Sequence, residues 1–436
     1  MKSINQALPL HGTFHSEMES SLDKTGVPMQ TVCPRVLFIS HSGDLYGAER
    51  SLLTLLRGLN KKNAYELLVF APHEGAFTRA LDAEGIAFHV LPFTRWIGQR
   101  CHFIMRYARR LKNRLCFPGL LREAGKWKPD VIYTNTIATP VGAWMADKLP
   151  GRPCHIWHAR EIPGDKDLEF GLFDMGKRLS FRLMARTSDR FICNSEYLKS
   201  RLKPELECEI GSNKKSDIAA RMHMDVVLNG IEFAKSIPDA KKVRANRRSF
   251  RLIMAGGLGP RKNYEEAVRG VKKLVDAGYD IQLDIYGSGT PSTVKKLRKQ
   301  ISNAGLEHRV HLMGYVDNFM NELTRADMLL ITSRMETFGR TAVEAMLCKC
   351  PVISSDCGAL PEIIEDGETG LLYRSGDIEH LADQIRKLAD SPSHQADITQ
   401  KALEYATKHF SAERFIDEIY HILQDVLSSQ VCGKRA

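Results

Sequence analysis

The sequence predicts an α/β protein made of two doubly wound, parallel-sheet domains, and three observations carry that reading. At 436 residues the chain is too long for one ordinary core and suits two domains of roughly 150–200 residues each. From Arg35 onward, short apolar runs alternate with amphipathic stretches, the pattern of βαβ units and therefore of a parallel sheet. That rhythm breaks in a polar, Lys/Arg-rich stretch from Asp239 to Ser249 and then starts again.

In chain order, residues 1–34 mix Ser, Met, Gln and Pro with isolated charges and no apolar period, and are read as a mobile N-terminal tail. The first domain, 35–238, is expected to place strands at Val36–Ile39, Leu67–Phe70 and Val131–Tyr133, with a helix over Glu49–Leu59. Within it the polar, lysine-rich stretch 204–222 is read as an inserted surface loop. The second domain, 250–408, is expected to carry strands at Leu252–Ala255, Gln282–Tyr286, Met328–Ile331 and Pro351–Ser354. In 412–427, Phe415, Ile416, Ile419, Ile422, Leu423 and Val426 recur at helical spacing. Ligands of open parallel sheets bind beyond the carboxyl ends of the strands, so two such domains facing each other would enclose one.

Composition bounds the function. With 43% hydrophobic and 26% charged residues, the chain has apolar mass for two cores, which excludes wholesale disorder. A formal charge of +10 points to an anionic partner: nucleic acid, a phosphorylated small molecule or an acidic membrane surface. No apolar run approaches the ~20 residues that span a bilayer, and the N-terminal stretch lacks a signal-peptide core. A cytoplasmic location is the default expectation. The ten cysteines show no paired spacing; the nearest cluster, Cys348, Cys350 and Cys357, is read as reduced, buried thiols in preference to a metal site.

Three stretches carry candidate chemistry. His41 to Arg50 follows the first strand, and Gly47 in it lets a phosphate or sugar approach backbone N–H groups at a helix N-terminus. Ala255 to Asn263 also leaves a strand and opens a helix, now with Arg261 and Lys262 together; a fixed ammonium beside a departing diphosphate lowers the barrier. Ser333 to Met346 places Glu336 in a loop beyond a strand, Gly339 ahead of a helix and Glu344 two turns inside it. One carboxylate can accept hydrogen bonds from sugar hydroxyls and the other from a ribose diol, with the helix N-terminus between them facing phosphates.

Glu336 and Glu344 form an E-x7-E pair, followed by Cys357-Gly358-Ala359-Leu360-Pro361-Glu362 and Asp366-Gly367-Glu368-Thr369-Gly370. With Tyr286-Gly287-Ser288-Gly289, Gly314-Tyr315-Val316 and Asn229-Gly230-Ile231-Glu232 in order, the chain resembles the group 1 glycosyltransferases, glycosyltransferase family four, of the GT-B fold. Gly47-Ala48-Glu49-Arg50 resembles the family's Gly-Gly-Ala-Glu loop, and His158-Ala159-Arg160-Glu161 lies where such enzymes carry a histidine. The resemblance covers roughly residues 35–427 and is tighter in the C-terminal half.

The resemblance implies that Lys262 binds the donor diphosphate, Glu336 holds the transferred sugar and Glu344 takes the ribose. It also implies that the backbone of Phe338, Gly339 and Arg340 touches sugar and phosphate, that Gly47 contacts phosphate across the cleft, and that His158 lies beside the anomeric carbon. Arg160 and Glu161 fall on the acceptor side. Where family members often place an arginine this chain has Gly257, and Arg261 is the nearest replacement. The implied reaction retains anomeric configuration, a donor phosphate oxygen taking the acceptor proton, with no cofactor and no metal ion. The helix 412–427 would cross back onto the first domain.

The remaining charge is concentrated in 95–128, which carries ten cations, Arg95 to Lys128, against the single acid Glu123, with aromatic and aliphatic residues interleaved. One reading is a helix packed on the first domain with solvated arginines; the other lays it on an anionic membrane, which suits a lipid-linked saccharide acceptor at the inner face. Nucleic acid is disfavoured because no recognised binding module accompanies the charge. The rival functions are a nucleotide-sugar epimerase or hydrolase on the same fold, which would need a positioned acid and base, and a catalytically silent nucleotide-sugar-binding protein, which the missing cation at Gly257 keeps open.

Overall fold

The computed structural model describes residues 33–98, 103–162, 172–209, 223–233 and 249–433. The sequence stretches 1–32 (tail), 210–222 (insertion) and 239–248 (interdomain) lie outside them.

Two parallel sheets form the frame. In the first, β1 (Arg35–Ile39), β2 (Glu66–Ala71), β3 (Phe88–Val90), β5 (Val131–Asn135), β6 (Cys154–Ala159), β8 (Arg190–Cys193) and β9 (His223–Val226) lie in the order β3-β2-β1-β5-β6-β8-β9; β4 (Ile97–Gly98) and β7 (Leu172–Phe173) pair separately as a short antiparallel ribbon. In the second, β10 (Ser249–Ala255), β11 (Asp280–Tyr286), β12 (Val310–Gly314), β13 (Met328–Ile331), β14 (Val352–Ser355) and β15 (Leu371–Tyr373) lie in the order β12-β11-β10-β13-β14-β15. Strands such as Arg35–Ile39 are continuous apolar runs because helices cover both faces of their sheet; alternate residues Val36 and Phe38 enter one core layer, Leu37 and Ile39 the other.

Strand order reverses beside β1 in the first sheet and beside β10 in the second. Those are the switch points where an open sheet leaves a crevice, and the glycine-bearing stretches after both strands, 41–47 and 256–263, start there.

The final helix, Ala412–Gly433, belongs to the first lobe's core although the chain reaches it from the second. Phe415, Ile419, Leu423 and Val426 pack with Val36, Phe38, Leu52 and Leu56. It lies against the helix Gly47–Lys62 closely enough that a Cβ at Gly58 would meet Ile416 Cδ1 at 2.3 Å. The fold is therefore two Rossmann-like lobes with a C-terminal helix returned to the first. The two passages between lobes run side by side: the Ile231 N–H donates to Phe410 O at 2.9 Å, and Ile231 bridges Ser411.

One element departs from the sequence reading. The helix Glu196–Glu209 continues through Pro204 into the stretch expected to be loop. Leu198, Leu202 and Leu206 are buried at four-residue spacing, and that apolar stripe outweighs the cost of an internal proline.

Phe415, 0% exposed, ties the returned helix to the first lobe. Phe415→Ala should cost about 3–5 kcal/mol of stability, read from urea unfolding of the whole chain; a cost within the range of surface substitutions would show that the helix is not part of the first lobe's folding unit.

Candidate functional site

Behind β10 the chain turns at Gly256 (φ +145°), forms a short turn Pro260–Lys262 and enters the helix Tyr264–Asp276. A Cβ at Gly256 would lie 2.5 Å from Lys262 Cε, so glycine there makes room for the lysine stem. Thr332 Oγ1 donates to the carbonyls of Lys262 and Asn263, both at 3.0 Å, and Arg334 N donates to Arg261 O at 2.8 Å. The turn is thereby fixed to the loop that follows β13.

That loop carries Glu336. Lys262 Nζ lies 2.7 Å from Glu336 Oε1 and Arg261 Nη1 lies 3.0 Å from Oε2; Ser333 Oγ donates to Oε1 at 2.8 Å. Burial by itself would raise the carboxyl's pKa, but the two cations and the hydrogen bonds from Lys262 and Ser333 reverse that and hold it down at about 2. Gly358 (φ +65°) lets the next loop close on this one: a Cβ there would lie 2.2 Å from Glu336 O, and Ala359 N donates to that oxygen at 2.9 Å.

Gly339 (φ +97°) caps the helix Arg340–Leu347 without a side-chain hydrogen bond. Its missing Cβ would sit 2.8 Å from Leu360 Cδ2. Phe338 is buried and stacks edge-on with Phe410. Glu344, expected to take the ribose, lies 2.7 Å from Arg340 Nε; the pair spans one helical turn, a spacing the sequence already displays. Arg340 also reaches across to Ser51 Oγ at 3.4 Å, so this helix start faces the start of the Gly47–Lys62 helix. That helix too lacks a side-chain cap, and a Cβ at Gly47 would meet nothing within 4 Å. Two uncapped N-termini therefore look toward one space, an arrangement suited to phosphate.

Gly257 borders open space as well: the nearest atom to a Cβ there is Ser288 O at 4.0 Å. No phosphate cation stands at that position.

On the first lobe, His158 is 0% exposed. Tyr133 OH bonds its Nδ1, Phe415 of the returned helix lies against its ring, and Nε2 is buried without a partner among the described residues. Burial and the nearby Arg160 hold the imidazole well below its ordinary pKa, so it is neutral. Phe415 of the crossing helix packs against one side of the ring, and the hydrogen bond with Tyr133 fixes its orientation. Arg160 is buried between Asn135 and Asn229, and Glu161, its pKa raised by burial, accepts from Ile137 N at 3.3 Å.

Sequence reasoning missed the contacts that join the lobes at the site. Thr337, beside Glu336, donates through Oγ1 to Arg160 O and accepts through its carbonyl from Ser195 Oγ, each at 2.7 Å. Glu362 accepts from Glu196 N at 2.8 Å and Tyr197 N at 2.5 Å, capping the start of a helix in the first lobe. The one available signal was positional, since both residues lie inside the motifs quoted for the second lobe. Cys348 and Cys350 are buried, and no group of three or more metal-ligating side chains forms among the described residues.

Residues 236–405 match the family model described as glycosyl transferases group 1, and residues 46–208 match glycosyltransferase family 4. The chain belongs to the group 1 glycosyltransferases. N-acetyl-alpha-D-glucosaminyl L-malate synthase of Bacillus anthracis is 30% identical over 200 residues, 45% of this chain and 49% of that protein, so the match spans about half of that relative's length. The lipopolysaccharide core biosynthesis mannosyltransferase LpsB of Rhizobium meliloti is 25% identical over 300 residues, 63% of this chain and 81% of LpsB. The crystal structure of Anabaena HepE in complex with UDP and glucose superposes with a TM-score of 0.70 at 24% identity, covering 89% of this chain and 99% of HepE. That likeness fixes the fold of this glycosyltransferase as GT-B. Among its described residues no helix is long and apolar enough to cross a membrane.

Glu336 gives the site a measurable signature. Its folded-state pKa, about 2 against an ordinary 4.5, means a stabilising contribution that is full above about pH 4.5 and is lost as pH falls toward 2. Relative to Glu336→Gln, the native protein should lose on the order of 3 kcal/mol across that window, followed by urea midpoints at stepped pH. Parallel losses in both proteins would show that the carboxylate is not held by Lys262 and Arg261.

Proposed function

We propose that the protein transfers a sugar from a nucleotide-sugar donor to an acceptor hydroxyl, with retention at the anomeric carbon and no requirement for a metal ion or other cofactor. The observation that carries this is the Lys262–Glu336–Arg261 cluster on the second lobe together with two helix N-termini that lack side-chain caps, one just after Glu336 and one on the first lobe, joined by the contact of Arg340 with Ser51. The diphosphate lies between those N-termini, within reach of Lys262 and Arg261. As the bond between the anomeric carbon and the leaving phosphate oxygen breaks, the developing charge meets fixed cations and N–H groups, which do the work a divalent ion would do. Glu336, ionised throughout the neutral range, accepts hydrogen bonds from the transferred sugar and releases Lys262 toward the phosphate.

Glu344, drawn off Arg340, takes the ribose diol, leaving Arg340 for phosphate, and the backbone of Phe338, Gly339 and Gly47 completes the donor contacts. Retention follows if the acceptor enters on the face the phosphate leaves and a phosphate oxygen takes its proton. His158 acts by position: buried and neutral, it braces Tyr133 and Arg160, whose carbonyl holds Thr337. Arg160 and Glu161 border the acceptor, which we take to be a saccharide or lipid-linked saccharide of bacterial surface polysaccharide or glycolipid synthesis, met in the cytoplasm at the inner face of the membrane. LpsB, a lipopolysaccharide core mannosyltransferase by name, supports that acceptor class.

The test is nucleotide release from UDP-, GDP- and ADP-linked hexoses, with and without bacterial lipid extract. Lys262→Ala should lower release by about 10²–10³-fold with the fold kept; undiminished release would remove Lys262 from the reaction. Gly257→Arg should fold normally, given the open space there, and tighten binding of the donor nucleotide by about tenfold, equivalent to one charge-assisted hydrogen bond. Calorimetric titration that shows no gain would mean the diphosphate does not pass Gly257. Tight nucleotide-sugar binding with no release under any acceptor condition is the result expected of a silent binding protein.

A further inference from the structure

We propose that the outer face of the helix Phe103–Trp127 docks this chain on an anionic lipid bilayer. A surface helix ordinarily turns its apolar residues inward and its polar residues out. The first half of this helix does the reverse. Arg106, Arg109 and Asn113 face the lobe: Arg109 Nε lies 2.8 Å from Oδ2 of Asp174, Arg106 donates to Phe173 O at 2.7 Å, and Asn113 accepts from Thr94 N at 2.7 Å and donates to Thr94 O at 3.0 Å. Asp174 is 3% exposed, so the arginines are anchored on a buried carboxylate. Gly98 accommodates them, since a Cβ there would lie 2.6 Å from the Arg109 guanidinium.

The apolar residues point to solvent instead. Ile104 is 65% exposed, Leu111 44% and Leu115 70%, and with 3.6 residues per turn the three fall within about 40° of one direction on the helix. Met105 and Tyr107, 56% and 63% exposed, widen the stripe. Lys112 borders it on one side and Arg110 and Arg114 on the other; all three are exposed and form no ion pair with a described residue. The neighbouring basic helix Lys177–Thr187 differs, because Lys177 pairs with Glu205 and Arg178 and Arg182 with Glu209. Past Pro118 the ordinary sense returns, with Leu120 and Ala124 buried, so the packing of the helix on its lobe gives no reason for Ile104, Leu111 and Leu115.

Of the two sequence readings of this segment, inward packing accounts for the second half and a bilayer for the first. An apolar line edged by unpaired cations is complementary to a negatively charged interface: the leucines enter the acyl boundary, and each cation near the headgroups contributes on the order of 1 kcal/mol. The surface is on the lobe that the transfer reading gives to the acceptor, but its occupancy needs neither donor nor turnover.

The experiment is sedimentation of the full chain with phosphatidylcholine vesicles and with the same vesicles containing phosphatidylglycerol. Binding to the anionic vesicles should be strong, weakened by salt, and lowered about tenfold or more in both Ile104→Ser/Leu111→Ser/Leu115→Ser and Lys112→Gln/Arg114→Gln. The exposed pair Lys295→Gln/Lys299→Gln on the second lobe and Lys262→Ala should bind as the native chain does, which separates this surface from the donor site. Thermal unfolding of each variant confirms that the exposed substitutions leave the fold intact. Native protein that ignores anionic vesicles, or both helix variants binding undiminished, overturns the proposal; so does a native dimer in the ultracentrifuge that the triple variant abolishes, which would make the face a self-association surface.

Discussion

The carboxylate of Glu336, gripped by Lys262 and Arg261, is the interaction on which the site depends. Three cheaper features exist to make it possible. Gly256 clears the path of the lysine stem, Gly358 lets the 357–359 loop close on the Glu336 backbone, and Thr332 and Ser333 fix the two loops to each other. A buried carboxylate without partners would be protonated at neutral pH; here the two cations reverse the effect of burial, and the same grip holds both cations side by side. Because Thr337 follows directly and is held by Arg160 and Ser195, any displacement of Glu336 is felt by the first lobe.

The charges are unevenly arranged. The second lobe sets cations and carboxylates in close, partly buried pairs, Lys262 and Arg261 on Glu336 and Arg340 on Glu344. The first lobe keeps its histidines near the sheet enclosed: burial holds His155 at about 3 and lowers His158 well below its ordinary value. Its excess positive charge is exported to a helix far in sequence from the donor motifs. One half of the molecule thus gathers its ion pairs around Glu336, and the other encloses its histidines and carries a charged exterior.

Much of the architecture was legible because it rests on local pattern. Continuous apolar strands, the restart of the rhythm after Ser249 and the helical spacing of Phe415 to Val426 each report burial that the chain must achieve, and the sheets and returned helix follow. Lys262 and Glu336 were legible as a pair of motifs, although their contact was not, since 74 residues separate them. The reading failed where three-dimensional context overrode local signal. The polar, lysine-rich composition after Pro204 suggested a loop, while Leu198, Leu202 and Leu206 hold a helix together as far as Glu209. The enclosure of His158 was not legible, because nothing in one strand shows that Phe415, 257 positions later in the numbering, will pack against it. Thr337 and Glu362 carry no marker of their own, because what makes them connectors is the backbone opposite them.

The pairing of Ile231 with Phe410 and Ser411 has a mechanical meaning. A chain that crosses between two bodies once leaves them free to swivel and twist; two separate crossings restrain them at two distant points. Here both crossings are laced together by a backbone hydrogen bond and a close approach at Gly230, so they behave as one seam. Thr337 hangs from Arg160, which is itself bonded to Asn229 beside that seam, so the loop that carries Glu336 is tied next to the line along which the two bodies are joined.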